Sequence, residues 1–425
     1  ALYGKAGDGD IVRKNLQREA IGLSSISFDE ISRRQVLESL DTASWSDMKM
    51  LRDKYAVIRN ELGRVPMLAD IYRHDPSLVM TMARKNDSYY DFARAAESML
   101  SRKEHGEGFM DTVAPVDVQG EQWLKMATEV LLVAIRPQEL VILDELLKSC
   151  MDGSVSSISV EQLKETVAQR FPASYHTDGQ FESALRVLGW SFFDATAKKS
   201  YGERALIARS GDDIMLTPEF AVMLDGNDAF ARFFADNVHT GLKRFADLLG
   251  ESAKTGRSLQ DDRGFVYEHR YKMFEVERLL EWPKQINGSS VGGYRLPKEG
   301  CSSMPVFVKY ANSQYADRFL NPQEMHWFSR DGCSLASREI KWMAQGNGAD
   351  DRTATHFIPL FVMRKEDAEK LKLYYYVGHV GACSNLHETT RDKNGKKVRI
   401  VEMDLRLSKP LSADLYQHLT GDHDE

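Results

Sequence analysis

The sequence predicts an α+β chain. A mainly α-helical first part, with a winged-helix-like stretch, leads into a small, partly closed β-barrel. Three observations carry that expectation. Leu, Ala, Met and Glu recur at helical spacing in the first part, while Tyr, Val, Gly and Ser dominate the last. Charge divides at the same place: residues 266–425 sum to +1 and residues 1–265 to −8, within a net of −7. Short apolar runs separated by Gly and Asn turns crowd the final segment and point to strands there.

In chain order, Phe28, Ile31, Val36, Leu37 and Leu40 follow Ser25 and Ser27 at three- and four-residue steps, the pattern of a capped helix. Gly63 and Pro66 read as a helix stop and restart, because Gly suits a helix end and Pro a helix beginning. Short helices carrying Leu68, Ile71, Tyr72, Tyr89, Tyr90 and Phe92 follow. A helix opens at Pro137 with Leu140, Leu143, Leu146 and Leu147, and Ser159 with Gln162 has capping-box spacing for a second. Thr177 and Asp178 cap a third, bearing Phe181, Leu185, Val187 and Leu188. Strand-like runs at 204–208 and 214–216 then complete the order of a winged helix. A helix at 178–190 could read DNA with Gln180, Ser183 and Arg186. One Arg is sparse for holding phosphates, and structural or protein-docking use is the competing reading.

From residue 268 an amphipathic helix holding Tyr271, Phe274, Leu279, Leu280 and Trp282 ends at Pro283. Strands are expected at 289–294, 305–309, 356–362, 373–378 and 397–405, helices at 339–343, 365–370 and 411–419. Polar stretches at 102–119 and 251–264 divide the chain into three units: 1–110, a helical coupler; 111–262, a coupler with the winged-helix-like segment; and 263–425, the barrel.

Composition narrows function. The 425 residues suit two to four folding units, and 42% hydrophobic residues supply an extensive core. No apolar run is long enough for a membrane span and no signal-peptide pattern opens the chain. The first residue is Ala1, as expected of a piece cut from a longer chain. Four scattered cysteines (Cys150, Cys301, Cys333 and Cys383) form no close pair, which suggests the cytoplasm and no zinc ribbon. No phosphate-binding Gly-x-x-x-x-Gly-Lys loop, no His-Glu-x-x-His and no Gly-x-Ser-x-Gly occurs, so no catalysis and no cofactor or metal is expected of this chain by itself. The histidines, including His74, His176, His239 and His326, lack second ligands at metal spacing.

A recognition surface remains. Residues 307–339 interleave Tyr310, Tyr315, Phe319, Trp327 and Phe328 with Lys309, Arg318, Arg330 and Arg338. Asn312, Ser313, Ser329, Ser334 and Ser337 add hydrogen-bonding groups. Aromatic faces stack on bases at about 1–3 kcal/mol each, and cations hold phosphates. Asp317 could accept from a cytosine amino group, with Trp327 or Tyr310 as the stacking ring and Tyr294 and Asn287 next in line. The competing readings make the aromatics barrel core and Asp317 a surface partner of an Arg.

Several blocks carry a family resemblance. They are Leu280 and Trp282, Ile286-Asn287-Gly288, Val291, Gly293 and Tyr294, residues 305–310, Phe319-Leu320-Asn321, Trp327-Phe328-Ser329-Arg330, Leu335, Ser337 and Glu339, and Leu373 to Gly378. Upstream, Asp29-Glu30-Ile31-Ser32, Leu37 to Leu40 and Glu61-Leu62-Gly63-Arg64-Val65-Pro66-Met67 extend it over most of the chain. Together they resemble the C-terminal region of SauUSI-like type IV restriction enzymes, fusions of a phospholipase-D-type nuclease, a superfamily-2 helicase and a C-terminal recognition part. The resemblance implies a helical coupler followed by an SRA/PUA-like barrel that flips and reads 5-methylcytosine in double-stranded DNA. It also implies ATP and Mg in the parent protein, and the helicase and nuclease domains as partners. Nuclease and motor motifs are missing here, so the chain would be the specificity and coupling part. Two other classes compete: a protein-interaction scaffold that forms homodimers, and an RNA-binding barrel.

Overall fold

The computed structural model describes residues 48–105, 113–151, 157–254, 256–286, 293–296, 302–310, 317–347, 352–364 and 373–421. The expected helix at 28–40, the helix at 365–370, most of the strand at 289–294, and the site candidates Tyr315 and Asn287 lie outside them.

The helical part opens with α1 (Met48–Leu62), stopped by Gly63 at a φ of +66°, a left-handed conformation that costs glycine little. The restart falls at α2 (Leu68–His74), two residues after Pro66, because Asp236 accepts from the Leu68 and Ala69 amides. Next come α3 (Pro76–Ala83), α4 (Tyr89–His105), α5 (Val118–Met126), a π-helical turn (Ala127–Leu131) and α6 (Gln138–Met151). β1 (Ile158–Ser159) leads into α7 (Val160–Arg170), whose Gln162 amide donates to Ser159 Oγ at 3.2 Å. Thr177 Oγ1 caps α8 (Asp178–Leu188) in the same way at 3.0 Å. A helix not foreseen in the sequence, α9 (Ala195–Tyr201), precedes the hairpin β2 (Ile207–Ser210) and β3 (Asp213–Leu216). The first hairpin strand lies three residues beyond its expected start. β1 joins β3 to make a three-stranded sheet. α10 (Pro218–Gly226) and the long α11 (Asp228–Lys254) close the part. One continuous core runs through it, with Trp123, Phe220, Phe230 and Phe234 packed mostly edge to face.

β4 (Arg270–Tyr271) and α12 (Met273–Leu279) replace the single expected helix: Tyr271 pairs with Tyr374 in a sheet instead of continuing the helix. Then come β5 (Val306–Tyr310), β6 (Arg318–Asn321), β7 (Glu324–Phe328), α13 (Arg338–Gln345), α14 (Arg352–Thr355), β8 (Pro359–Arg364), β9 (Tyr374–Lys393), β10 (Lys396–Leu407) and α15 (Ala413–Thr420). The strands form a curled half-barrel in the order β5-β8-β9-β10-β7-β6, with β4 on β9. β5 and β8 run parallel and the other pairs antiparallel.

Alternation assigns the two faces. Leu360, Val362, Tyr375, Val377, Met403, Leu405 and Trp327 fill one side, under Ile340 and Met343 of α13 and Leu415 and Leu419 of α15. Phe361, Tyr374 and Tyr376 fill the other, against Phe265, Tyr271, Val276 and Leu280 around α12. Both faces of the central strands are therefore buried, which explains why β8 reads as a continuous apolar run rather than an alternating one. No helix among the described residues is long and apolar enough to cross a membrane.

α8 does not present its polar side to solvent. Gln180 and Ser183 are buried, and Ser183 Oγ donates to the Arg278 carbonyl at 3.1 Å. Gln180 Nε2 donates to the Leu279 carbonyl, and Arg186 Nη2 to the Glu281 carbonyl at 3.0 Å. The three side chains considered for base readout thus satisfy backbone acceptors in and just after α12, leaving none to meet a DNA groove. Of the two readings of this helix, the geometry matches docking. A Cβ at Gly179 would fall 1.9 Å from Glu281 Oε2, so the Glu281 side chain packs into the space that glycine leaves.

Candidate nucleic-acid interface

The residues expected to meet DNA separate into an interior group and a rim. Tyr294 is the interior hub. Its ring stands edge-on to Trp327 at 5.2 Å, its hydroxyl accepts from the Arg330 amide at 3.3 Å, and Cys333 Sγ lies 3.3 Å away. Burial pushes the phenol well above its usual range. Trp327 is only 3% exposed. A ring so enclosed is core, and a base could stack on it only by opening the half-barrel. Ser329 is also buried: its hydroxyl accepts from the Val401 amide at 2.8 Å and donates to the Arg330 carbonyl at 3.1 Å, fastening the end of β7 to β10.

The rim holds the remaining candidates. The Arg330 guanidinium covers the Tyr294 ring at 4.2 Å and reaches Glu339 at 3.4 Å. Lys309 and Arg318 are exposed, while Arg338 donates to the Leu296 carbonyl at 3.4 Å. Tyr310, half-buried at the end of β5, stacks on Phe319 at 5.8 Å. Phe328, half-buried at the end of β7, lies edge-on to His326 at 4.9 Å, and that imidazole is held by Asp404 at 2.7 Å.

Asp317 stands apart electrostatically. It precedes β6, and its Oδ1 accepts from the Phe328 amide at 2.9 Å. No Arg or Lys pairs with it among the described residues, and Oδ2 has no hydrogen bond there. Burial pushes its pKa up to about 6, against the lowering effects of the Phe328 amide and the His326 ring. Carboxylates are seldom left so poorly compensated in a half-buried place, and perturbed groups of this kind gather at functional sites. The surface pairing with Arg is not what the geometry shows.

A second feature lies outside those candidates. Asn394 and Gly395, a turn between strands in the sequence, join β9 and β10 at the end of a long antiparallel ribbon whose polar outer half lay beyond the expected strands. Asn394 and Gly395 have φ values of 54° and 76°, the left-handed pair a tight two-residue hairpin turn requires. The Asn-Gly turn was legible, but the polar residues on both sides hid how far the strands extend toward it.

The fold and rim define a two-part α+β chain: a helical part docked on a curled half-barrel whose rim carries a carboxylate with no cation partner among the described residues, held by the Phe328 amide. Residues 51–247 match the family model described as a domain of unknown function, DUF8090, and residues 265–419 match another domain of unknown function, DUF3427. No curated protein matches the chain. Among solved structures, the DNA recognition domain of the cytosine modification-dependent restriction endonuclease LpnPI is similar over 34% of this chain and 74% of its own, at 12% identity and a TM-score of 0.25. The type IV phosphorothioation-dependent restriction endonuclease ScoMcrA is similar over 80% of this chain, at 10% identity and a TM-score of 0.24. The chain spans 64% of the ScoMcrA length.

Proposed function

We propose that this chain is the specificity and coupling part of a modification-dependent, type IV restriction endonuclease, and that its half-barrel, read as SRA-like, recognises 5-methylcytosine flipped out of duplex DNA. The observation that carries the reading is Asp317, a desolvated carboxylate with one oxygen unengaged, whose other oxygen holds the backbone of Phe328. A cytosine offers an N4 amino donor to that oxygen, and the half-buried Phe328 is the candidate stacking ring. Extracting a base costs a few kcal/mol, which stacking at about 1–3 kcal/mol and one charge-assisted hydrogen bond offset. The methyl group adds about 1–3 kcal/mol of discrimination in an apolar pocket.

In this reading stacking passes from Trp327 to Phe328, while Trp327 and Tyr294 keep the rim in shape and Tyr310 packs on Phe319. Lys309, Arg318 and Arg330 hold phosphates. The helical part, winged-helix-like between α6 and β3, transmits occupancy of the half-barrel to an ATP-dependent helicase and nuclease in the same cytoplasmic parent protein. The fragment catalyses nothing itself.

Asp317→Ala should remove the preference for methylated over unmodified duplex, read by gel shift, while the far-ultraviolet spectrum stays unchanged. An unaltered preference in the folded variant would take Asp317 out of the site. Acidity gives a second test. The N4 amino group needs an acceptor, and a protonated carboxyl turns an O–H toward it. The preference should therefore be full above about pH 7 and fade as pH falls through about 6. A preference flat from pH 5 to 8 would contradict the assigned acceptor.

A further inference from the structure

We propose that the outer ribbon of β9 and β10 is an arm that grips the phosphate backbone of duplex DNA beside the half-barrel, an inference that rests on the DNA-reading role above. In the ribbon Lys393 stands opposite Lys396, Asp392 opposite Lys397, Thr390 opposite Arg399, and Glu388 opposite Val401. β7 accompanies β10 only from Glu402 to Arg406, so the tip extends past its neighbouring strand. The outermost backbone hydrogen bond on that flank among the described residues runs from the Gly332 amide to the Arg399 carbonyl at 2.8 Å. From Glu388 to its turn the strand rises roughly 17 Å, at about 3.4 Å per residue.

Charge selects the partner. Between Glu388 and Arg399 stand five cations (Arg391, Lys393, Lys396, Lys397 and Arg399) against two acids, in a chain whose net charge is −7. Asp331 holds Arg391 at 2.7 Å and Lys393 at 2.8 Å, which ties the outer part of β9 to the half-barrel. Lys396 and Lys397 are exposed at its tip, and Arg399 is exposed nearer its base. A two-stranded ribbon also has the width that the major groove, about 12 Å across, admits. The arm therefore adds affinity without reading the modified base.

The test replaces Lys396, Lys397 and Arg399 by Gln in the full chain and follows anisotropy of methylated and unmodified duplexes between 50 and 300 mM salt. The slope of log K against log salt should fall by about 2–3 relative to the unaltered chain, with equal loss for both duplexes. Lys397→Gln alone should lower it by about 1. An unchanged slope in the folded triple variant overturns the arm and leaves the reading of the half-barrel standing. A slope reduced for a competing RNA hairpin but not for DNA overturns it too. No duplex binding by the unaltered chain at 50 mM salt overturns both.

Discussion

Glu139→Gln should destabilise the chain by about 3–5 kcal/mol, the cost of breaking a buried ion pair from one side. Glu139 is 1% exposed and receives Arg136 at 2.6 Å and Arg278 at 2.9 Å, both guanidiniums equally enclosed. Arg136 Nη1 also donates to the Arg278 carbonyl at 2.8 Å, and Arg278 Nη1 to the Val130 carbonyl at 3.0 Å. Although burial opposes its ionisation, the two guanidiniums hold the carboxyl down to about 2. This contribution is therefore complete above the ordinary glutamate range and is lost only as pH falls toward 2. The amide leaves two buried cations without an anion, and they bridge α6 to α12. Urea unfolding at pH 7 reads the loss. A change below about 1 kcal/mol would show that the triad contributes little. In a double-mutant cycle, Arg278→Met combined with Glu139→Gln should cost clearly less than the sum of the two, because the stranded charge is removed as well.

Glu277, the chain neighbour of Arg278 in α12, should act in the opposite sense. It is 2% exposed and, among the described residues, accepts one bond, from the Ile286 amide at 3.0 Å. Burial pushes its pKa up to about 8, with Asp194 adding to the rise and Ile286 and Arg295 opposing it. Between about pH 4.5 and 8 the folded chain binds a proton that the unfolded chain has released. Stability from this group is full below that window, declines across it, and stays low above it. Glu277→Gln keeps the accepting oxygen and removes the titration. The variant should match the parent near pH 5 and exceed it near pH 8.5 by about 3–5 kcal/mol, the scale of a shift this large. Parallel unfolding free energies of the two proteins across that range would refute it.

The helical first part was legible because its signals are local. Ser159, Thr177 and Gly63 act on residues within four positions, and they cap or stop helices where the sequence placed them. The strands after residue 300 were legible in kind but not in extent. A run expected at 373–378 extends to Lys393, because pairing with β10, not side-chain composition, holds its polar outer half. Tyr271 was read into a helix and joins a strand for the same reason.

The candidate site divides along the same line. By itself the sequence determined that aromatic and basic side chains interleave between residues 307 and 339, that Asp317 lies among them, and that charge shifts toward the positive in the last segment. Only tertiary structure decided which rings are enclosed. Trp327 and Phe328 are chain neighbours of similar character, yet strand alternation turns one into the core and the other to the rim. Tertiary structure also turned Gln180, Ser183 and Arg186 from a DNA-facing set into partners of carbonyls nearly a hundred residues away. Capping and periodicity are written in neighbouring residues. Burial depends on what the rest of the chain brings to the other side.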